Sequence, residues 1–561
     1  MIKHRSPISG IDAFGGHYVA TAGYDGQLIL WDSIRRKSLA RGNHDHLVNQ
    51  CRFSTCGNYL VSSSSDYTAR IWRVPSLQLV SVLGGHGDDV EMAAPDPGST
   101  RVVTASRDHR IRIFDFSGRE RLSLAGHAAD VLSIEWSRDG QQLVSSGDDG
   151  TVRRWSANTG ELLQTVELGD VETDTVATDG EGLLFAGNDR GEIVTIQGDA
   201  LVTTGAHRAG VKRLAFDRRG RRLLSTSYDR TLKIWEVTGR GWLELLRSTV
   251  VPEPVWVRAA AFAASTKIVL GTFGTAYATY DAELDTWDLR DVEATSGLNA
   301  VRVIGRSAYA VGDAGAVFRD SKPVTSLGSP CNFLDVLAGR LITGGHSGAL
   351  FDARTGEALF QHSSPLNCSV VFLRDQAEHI IIGTYTGEGL VFCWRPGQGL
   401  KHVTTVRLHD NAVKGLACNG QEIFSVCATG AVAFHRSDDF VCIRRIIDAH
   451  EKISNGAVVL PDRRFASVSR DRKLRLWSAD SCEILSTPHD HSVKCVAASA
   501  DAGLIATGSY GGTVAIYDLV RRTWIATERP TTAGISGISV GHTPRSFLAC
   551  SYDGEVYTIS A

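Results

Sequence analysis

The chain has no run of eighteen apolar residues in its 561, so no stretch is long enough to cross a bilayer as a helix. Its first fourteen residues, MIKHRSPISGIDAF, lack the apolar core of a secretory signal. It also lacks a strong charge of either sign. Fifty-nine basic and 62 acidic residues leave −3, which gives no general pull toward nucleic acid or an anionic membrane. Eleven cysteines scattered over this length are too sparse for a disulfide scaffold and read as reduced thiols in a cytoplasmic protein. Lysine is scarce, 11 of the 59 basic residues, while alanine and glycine are plentiful. That bias is typical of a GC-rich bacterial genome. There is no G-x4-G-K-[ST] phosphate loop and no H-E-x-x-H metal helix.

What is present exceeds one ordinary core in length, with 43% apolar and 22% charged residues, as in globular proteins. One phrase recurs: VATAGYDGQLILW, LVSSSSDYTARIW, VVTASRDHRIRIF, LVSSGDDGTVRRW, LLSTSYDRTLKIW and FASVSRDRKLRLW. Its aspartates are Asp25, Asp66, Asp108, Asp149, Asp229 and Asp471. Six residues after each comes Trp31, Trp72, Phe114, Trp155, Trp235 or Trp477. Four residues before each comes Thr21, Ser62, Thr104, Ser145, Ser225 or Ser467. Histidine keeps the same register: His44, His86, His127 and His207 precede their aspartates by 22 residues, and His450 by 21.

This pattern resembles the WD-repeat family. Trp31-Asp32 keeps the closing dipeptide, and Gly85-His86 and Gly126-His127 keep the opening one. The resemblance implies an all-β fold of four-stranded antiparallel blades around a channel. It further implies that Asp, His, Ser/Thr and Trp join in a buried hydrogen-bond chain, for example Asp66, His44, Ser62 and Trp72. The pairs Asp108 with His86, Asp149 with His127, Asp229 with His207 and Asp471 with His450 are read the same way. These residues are therefore structural rather than catalytic, and losing one is expected to cost roughly 1–3 kcal/mol.

The aspartate steps of about forty residues continue weakly through Asp189, Gly274, Ala314, Ser347, Gly387 and Thr429, then Gly511 and Asp553. Fourteen positions are too many for one ring. They predict two tandem β-propellers of seven blades each, residues 1–292 and 293–561, the second with degenerate early blades. An eight-plus-six division has the same total. The last repeat stops after its third strand, so residues 1–6 are expected to close a ring as an added strand. Failing that, residues 283–289 cross over.

Each chemical candidate has a plainer reading. In His44-Asp45-His46 and His489-Asp490-His491 the first histidine already belongs to the structural register, and no further ligands follow at metal spacing. Cys51 and Cys56 have no second pair. Gly344 to Gly348 falls short of a nucleophile elbow, because Ala349 stands where the last glycine belongs. The basic run Arg218, Arg219, Arg221 and Arg222 falls at a hairpin tip and makes nucleic-acid binding the lesser alternative. No catalytic residue, cofactor or metal is assigned. An enzyme or small-molecule binder using the central channel is a rival reading, with His346, His362, Asp313 and Cys331 as its candidates.

In WD-repeat proteins the residue before the structural aspartate faces the channel mouth. Carried over, these are Tyr24, Ser65, Arg107, Asp148 and Tyr228, then Arg470, Tyr510 and Tyr552. Tyrosine and arginine are the types that anchor interfaces. The expected function is a non-catalytic scaffold or sensor. Tyr24, Arg107 and Tyr228 serve one partner-binding face, and Arg470, Tyr510 and Tyr552 the other, with proteins as partners. Double propellers of this family include actin-disassembly cofactors, a likeness of architecture only. The expected setting is a bacterial signalling or defence complex.

Overall fold

The computed structural model describes residues 2–561 except 170, 240 and 396. Its strands form fourteen antiparallel sheets, thirteen with four strands and the last with three. The chain divides into two compact units, Met1–Thr295 and Ser296–Ala561. Blades 1 to 7 span 8–43, 48–83, 90–125, 131–167, 175–205, 211–250 and 255–288. Blades 8 to 14 span 298–326, 331–361, 366–407, 413–446, 454–486, 493–528 and 535–560. The fold is thus two tandem β-propellers.

The sequence pattern explains each blade. Second strands such as Tyr59–Ser64 are buried almost throughout, because neighbouring blades cover both of their faces. Outer strands such as Gln78–Leu83 are mostly exposed, apolar Leu79, Val80 and Val82 included. The Asp-Gly turn follows from backbone geometry. Gly150 has φ +68°, and a Cβ there would come within 2.1 Å of the Gly169 carbonyl oxygen. Tyr67, His109, Arg230 and Arg472 keep side chains at the same turn position with φ of 66°, 65°, 61° and 61°, at about 1 kcal/mol or more each. Three of them tie their turn to the next blade's loop. Arg230 meets Glu253 at 3.0 Å, His109 meets Asp130 at 3.6 Å, and Arg472 reaches the Asp490 carbonyl at 3.4 Å.

The core is divided among the blade interfaces. Leu28, Leu30, Leu60 and Trp72 pack blade 1 on blade 2, and Ile113, Val131, Ile134 and Trp155 pack blade 3 on blade 4. The same principle closes both rings, which corrects the expected added strand. Residues 2–6 form no strand. Blade 7 instead packs directly on blade 1 through Ala259, Ala261, Val269 and Tyr277 against Ile11, Val19, Ile29 and Trp31. Blade 14 packs on blade 8 through Leu548 and Cys550 against Leu298, Val301 and Ala310. The crossover alternative also fails, since Thr286–Asp288 pairs with Ala278–Asp281 as the outer strand of blade 7. Apolar area at the seam removes the need for an exchanged strand. The N-terminal segment still spans the first seam, where the His4 amide donates to the Thr275 carbonyl at 3.0 Å and Lys3 meets Glu293 at 2.8 Å.

Candidate binding faces of the two propellers

The hydrogen-bond chain forms in blades 2, 4, 6 and 12. In blade 2, Trp72 Nε1 donates to Ser62 Oγ at 2.8 Å. Ser62 Oγ lies 2.7 Å from His44 Nε2, and His44 Nδ1 lies 2.8 Å from Asp66 Oδ2. One assignment serves every atom: indole to hydroxyl, hydroxyl to Nε2, Nδ1–H to carboxylate, with the imidazole neutral. Burial holds His44 below its ordinary pKa. Burial opposes ionisation of Asp66 too, but the His44 hydrogen bond outweighs it and keeps that carboxyl well below the usual range. The equivalent distances from His127 to Asp149 and Ser145 are 2.9 and 2.7 Å. Those from His450 to Asp471 and Ser467 are 2.9 and 2.8 Å. His207 meets Asp229 at 3.2 Å and Ser225 at 2.8 Å.

Blade 3 departs from the expected pairing. His86 reaches Thr104 at 2.9 Å but turns Nδ1 to the Tyr67 carbonyl, while Asp108 pairs with Arg112 at 2.7 Å. Phe114 supplies no N–H to complete the chain. Blade 1 has a full chain that sequence reasoning missed. His4 contacts Asp25 at 3.0 Å and Thr21 at 2.8 Å, and Trp31 donates to Thr21 at 2.8 Å. The signal was available: His4 precedes Asp25 by 21 residues, as His450 precedes Asp471. In blade 5 the turn bond runs from Gly191 to Asn188. That register puts Asp189 at the mouth position and Arg190, not Asp189, at the structural aspartate position.

A second set of residues was not visible in the sequence. The inner strands of most blades carry a bulge near their start, as at Val48/Gln50, Leu298/Ala300, Cys331/Phe333, Leu366/Cys368 and Val493/Cys495. The extra residue is re-aimed out of the ladder. In five blades it is an asparagine whose amide donates to the next blade's inner strand. Asn49 reaches Val90 O at 2.9 Å, Asn299 reaches Cys331 O at 3.1 Å, and Asn332 reaches Leu366 O at 2.8 Å. Asn367 reaches Val413 O at 2.6 Å and Asn455 reaches Val493 O at 2.8 Å. Ser9 and Ser536 make the same link, to Val48 O and Leu298 O, the latter across the seam of the second ring.

The bulge residues and the residues before the structural aspartates meet at one end of each channel. In the first propeller Arg107 bridges the bulge residue Glu91 and Asp130, at 2.5 Å each. Lys212 pairs with Asp174 and Asp189 and lies 5.0 Å from the Tyr228 ring centre. Tyr24 packs edge-on against Trp256 at 5.1 Å. Ser65 accepts from Asn49 at 3.2 Å. Asp130, Asp148, Asp174, Asp189, Glu91 and Glu172 thus gather around Arg107, Lys212 and Arg258, with His109 beside Asp130. Burial, then Glu172 and Asp130, push the Asp148 carboxyl far up, and its Oδ1 is buried without a hydrogen bond. Burial raises Asp189 to about 7. The carboxylates of Glu172, Asp174 and Asp189 lie within 4.8 Å of one another, a spacing that suits a metal ion. The Lys212 ammonium already pairs with two of them. The mouth is acidic, and Tyr24, Arg107 and Tyr228 are spread around it rather than clustered.

The second mouth has the opposite character. Tyr510 stacks on Tyr552 with 6.4 Å between centres and 15° between planes. Arg470 and Lys494 lie 5.6 and 5.9 Å from the Tyr510 ring centre. Lys414 lies 4.5 Å from that of Tyr385. Arg470, Tyr510 and Tyr552 therefore form one cationic, aromatic cluster. Asp313 accepts from Asn299 at 3.0 Å, and burial raises its carboxyl to about 6.

The channel candidates each have a separate partner. His346 packs near Tyr385 at 6.1 Å, His362 faces Glu388 at 3.7 Å, and buried Cys331 points its thiol at the Ser329 carbonyl. All eleven cysteines are free thiols. Gly344 to Gly348 forms a strand-to-strand turn. Of the basic run, Arg222 reaches the Ser265 carbonyl at 3.0 Å and Arg218 lines the far end of the first channel.

A closed ring of antiparallel blades with an Asp-His-Ser/Thr-Trp chain defines a repeat class, and comparison with known proteins agrees. The family model for the WD domain, G-beta repeat, matches residues 2–32, 36–73, 77–115, 118–156, 198–236 and 482–518. Each match after the first spans the outer strand of one blade and three strands of the next. The chain carries six WD repeats over these residues. It is 28% identical over 221 residues to a guanine nucleotide-binding protein subunit beta of Oryza sativa subsp. japonica, covering 35% of this chain and 58% of that protein. It is 28% identical over 149 residues to WD repeat-containing protein 1 of Bos taurus, 26% of this chain and 24% of that one. It is 25% identical over 325 residues to a ribosome biogenesis protein WDR12 homolog of Chlamydomonas reinhardtii, 51% and 63%. The chain thus covers less than two thirds of each of these relatives.

Proposed function

We propose that the protein is a non-catalytic scaffold whose two channel mouths each receive a protein partner. The observation that carries this reading is the contrast between the mouths. One gathers six carboxylates around three cations. The other stacks Tyr510 and Tyr552 beneath Arg470 and Lys494. Rigid rings carrying chemically different faces suit two partners of different charge. Two platforms on one chain also raise the effective concentration of one partner near the other. The relatives carry WD repeats in proteins named for guanine nucleotide binding and for ribosome biogenesis, so the fold alone selects no pathway. The arginine bias favours a bacterial cytoplasm and the three eukaryotic relatives do not; the proposed role is the same in either setting.

The test is affinity capture of tagged protein from its native cell. Arg470, Tyr510 and Tyr552 are changed together to alanine, and thermal unfolding is measured alongside. A partner held by the wild type and lost from an equally stable triple variant is expected. A partner retained by the variant contradicts the reading of that face. Arg107→Ala is a poor companion for the other face, because it strips the cation from Glu91 and Asp130 and is expected to lower stability as well.

A further inference from the structure

The first channel has a second end, opposite the acidic mouth, formed by the hairpins that join first to second strands. A cavity of about 300 Å³ opens there, within the size range of small-molecule sites. One register position of the seven inner strands makes it. Asp12, Arg52 and Glu135 occupy that position in blades 1, 2 and 4, while Ala94, Ala177, Ala215 and Ala261 occupy it in blades 3, 5, 6 and 7. Four alanines leave the space that larger side chains would fill.

The charges around this space are unevenly satisfied. Both terminal nitrogens of Arg52 pair with Glu135, one at 3.2 Å. Asp12 accepts the backbone amides of Phe53 and Ala13 at 2.8 and 2.9 Å. Arg213 is different. It is 7% exposed, yet its one hydrogen bond is a long one, from Nε to the Ala260 carbonyl at 3.4 Å. Among the described residues no carboxylate lies within 4.0 Å of its nitrogens, although Glu135 and Asp12 act on its charge from farther away. A guanidinium offers five donors in a planar fork suited to a carboxylate or phosphate. Leaving it unpaired in the interior is unfavourable. Arg218 adds a cation at the entrance, and Phe53, Trp136, Phe216 and Phe262 give the walls an apolar, aromatic surface.

We propose that this end of the first channel binds a small organic anion, its carboxylate or phosphate group seated on the Arg213 guanidinium and its apolar body against the aromatic wall. Arg213 is then retained for the ligand at the expense of stability, as binding sites often require. Replacing it with a neutral side chain of similar length removes the binding and relieves the buried charge.

The experiment compares the full-length wild type with Arg213→Met and Arg213→Lys by thermal unfolding. Each is measured in sodium chloride, inorganic phosphate or sodium benzoate at equal ionic strength. The wild type is expected to gain on the order of 2 °C or more, saturably, in at least one anion beyond chloride. Phosphate alone would assign a phosphate group, and benzoate alone a carboxylate. Arg213→Met is expected to show no anion response and to melt no lower than the wild type in chloride. Arg213→Lys is expected to respond less than the wild type. The proposal is overturned if neither anion shifts the wild type, or if both variants respond as the wild type does. It is also overturned if Arg213→Met and Arg213→Lys both melt far lower or fail to fold, since Arg213 would then be part of the packing.

Discussion

Each propeller is held closed by its own set of hydrogen bonds, and the two sets differ. In the first, the Asp-His-Ser/Thr-Trp chain is complete in blades 1, 2, 4 and 6. In the second it is complete in blade 12. Blades 11 and 13 keep the histidine and its hydroxyl, His409 with Ser425 at 2.9 Å and His489 with Thr507 at 2.8 Å. Thr429 and Gly511 stand where the aspartate belongs, and His435 and Tyr517 where the tryptophan does. Yet the second ring closes as fully as the first, with an apolar cluster at its seam. Asparagine amides at the strand bulges link blades 8 to 9, 9 to 10, 10 to 11 and 12 to 13. Among the described residues of the first propeller this amide link joins blades 2 and 3 alone. A repeat can therefore lose its sequence signature without losing its blade, provided the channel-side links and the interblade apolar core remain.

The largest separation between the rings is expected on acidification. Burial lowers His409, His435 and His489 in the second ring to about 4, and His86 in the first to about 4. His44 and His450 are lowered as well. A histidine whose folded pKa lies below its unfolded value of about 6.5 stabilises the fold at neutral pH. That stability is lost as pH falls from 6.5 toward 4, by up to about 3 kcal/mol per group. Hydrogen exchange from pH 7.5 to 5 should show residues 296–561 opening first. Parallel loss in both units would contradict this.

Breaking one hydrogen-bond chain should have a smaller effect, confined to its own ring. His44→Ala leaves Asp66 and Ser62 buried without their partner and is expected to cost about 1–3 kcal/mol in denaturant unfolding. The same substitution at His86, which lacks the aspartate link, is expected to cost less. Equal losses would show that the aspartate link adds nothing.

Asp313 acts in the other direction. Its folded pKa of about 6 is raised by burial. The folded state therefore holds a proton that the unfolded state releases, and stability falls as pH rises from about 4 through 6. Asp313→Asn is expected to stabilise the second propeller by roughly 2 kcal/mol at pH 7.5 and by nothing near pH 4. A gain independent of pH would rule out the carboxylate as its source. The smallest effect is expected from His435→Trp. Both ring nitrogens of His435 are buried without a hydrogen bond, and an indole N–H at that position could donate to Ser425. A gain of about 1 kcal/mol is expected, and a loss would mean the larger ring overfills the site.

The sequence disclosed whatever depends on one residue type at one spacing. The aspartates, histidines and tryptophans of blades 2, 4, 6 and 12 were legible because a buried carboxylate–imidazole–hydroxyl chain tolerates few alternatives. The bulge residues were not. Asn49, Glu91, Lys212 and Ser536 share a backbone position but not a residue type, and a bulge leaves no mark on hydrophobic alternation. The closure of the rings was misread because a missing fourth strand suggested an exchanged one, whereas the seams are held by side-chain packing. Blade 5 was misread by one residue because Arg190 replaces the aspartate that sets the register.

The most direct test of the central claim is the unfolding of an Asn332→Ala, Asn367→Ala double variant, which removes the links from blade 9 to 10 and from blade 10 to 11. The expected result is a loss of about 2 kcal/mol or more, with hydrogen exchange rising throughout residues 296–561 and unchanged in 2–295. Wild-type stability in the double variant, or exchange raised only beside the two substitutions, would show that the asparagine links do not hold the second ring.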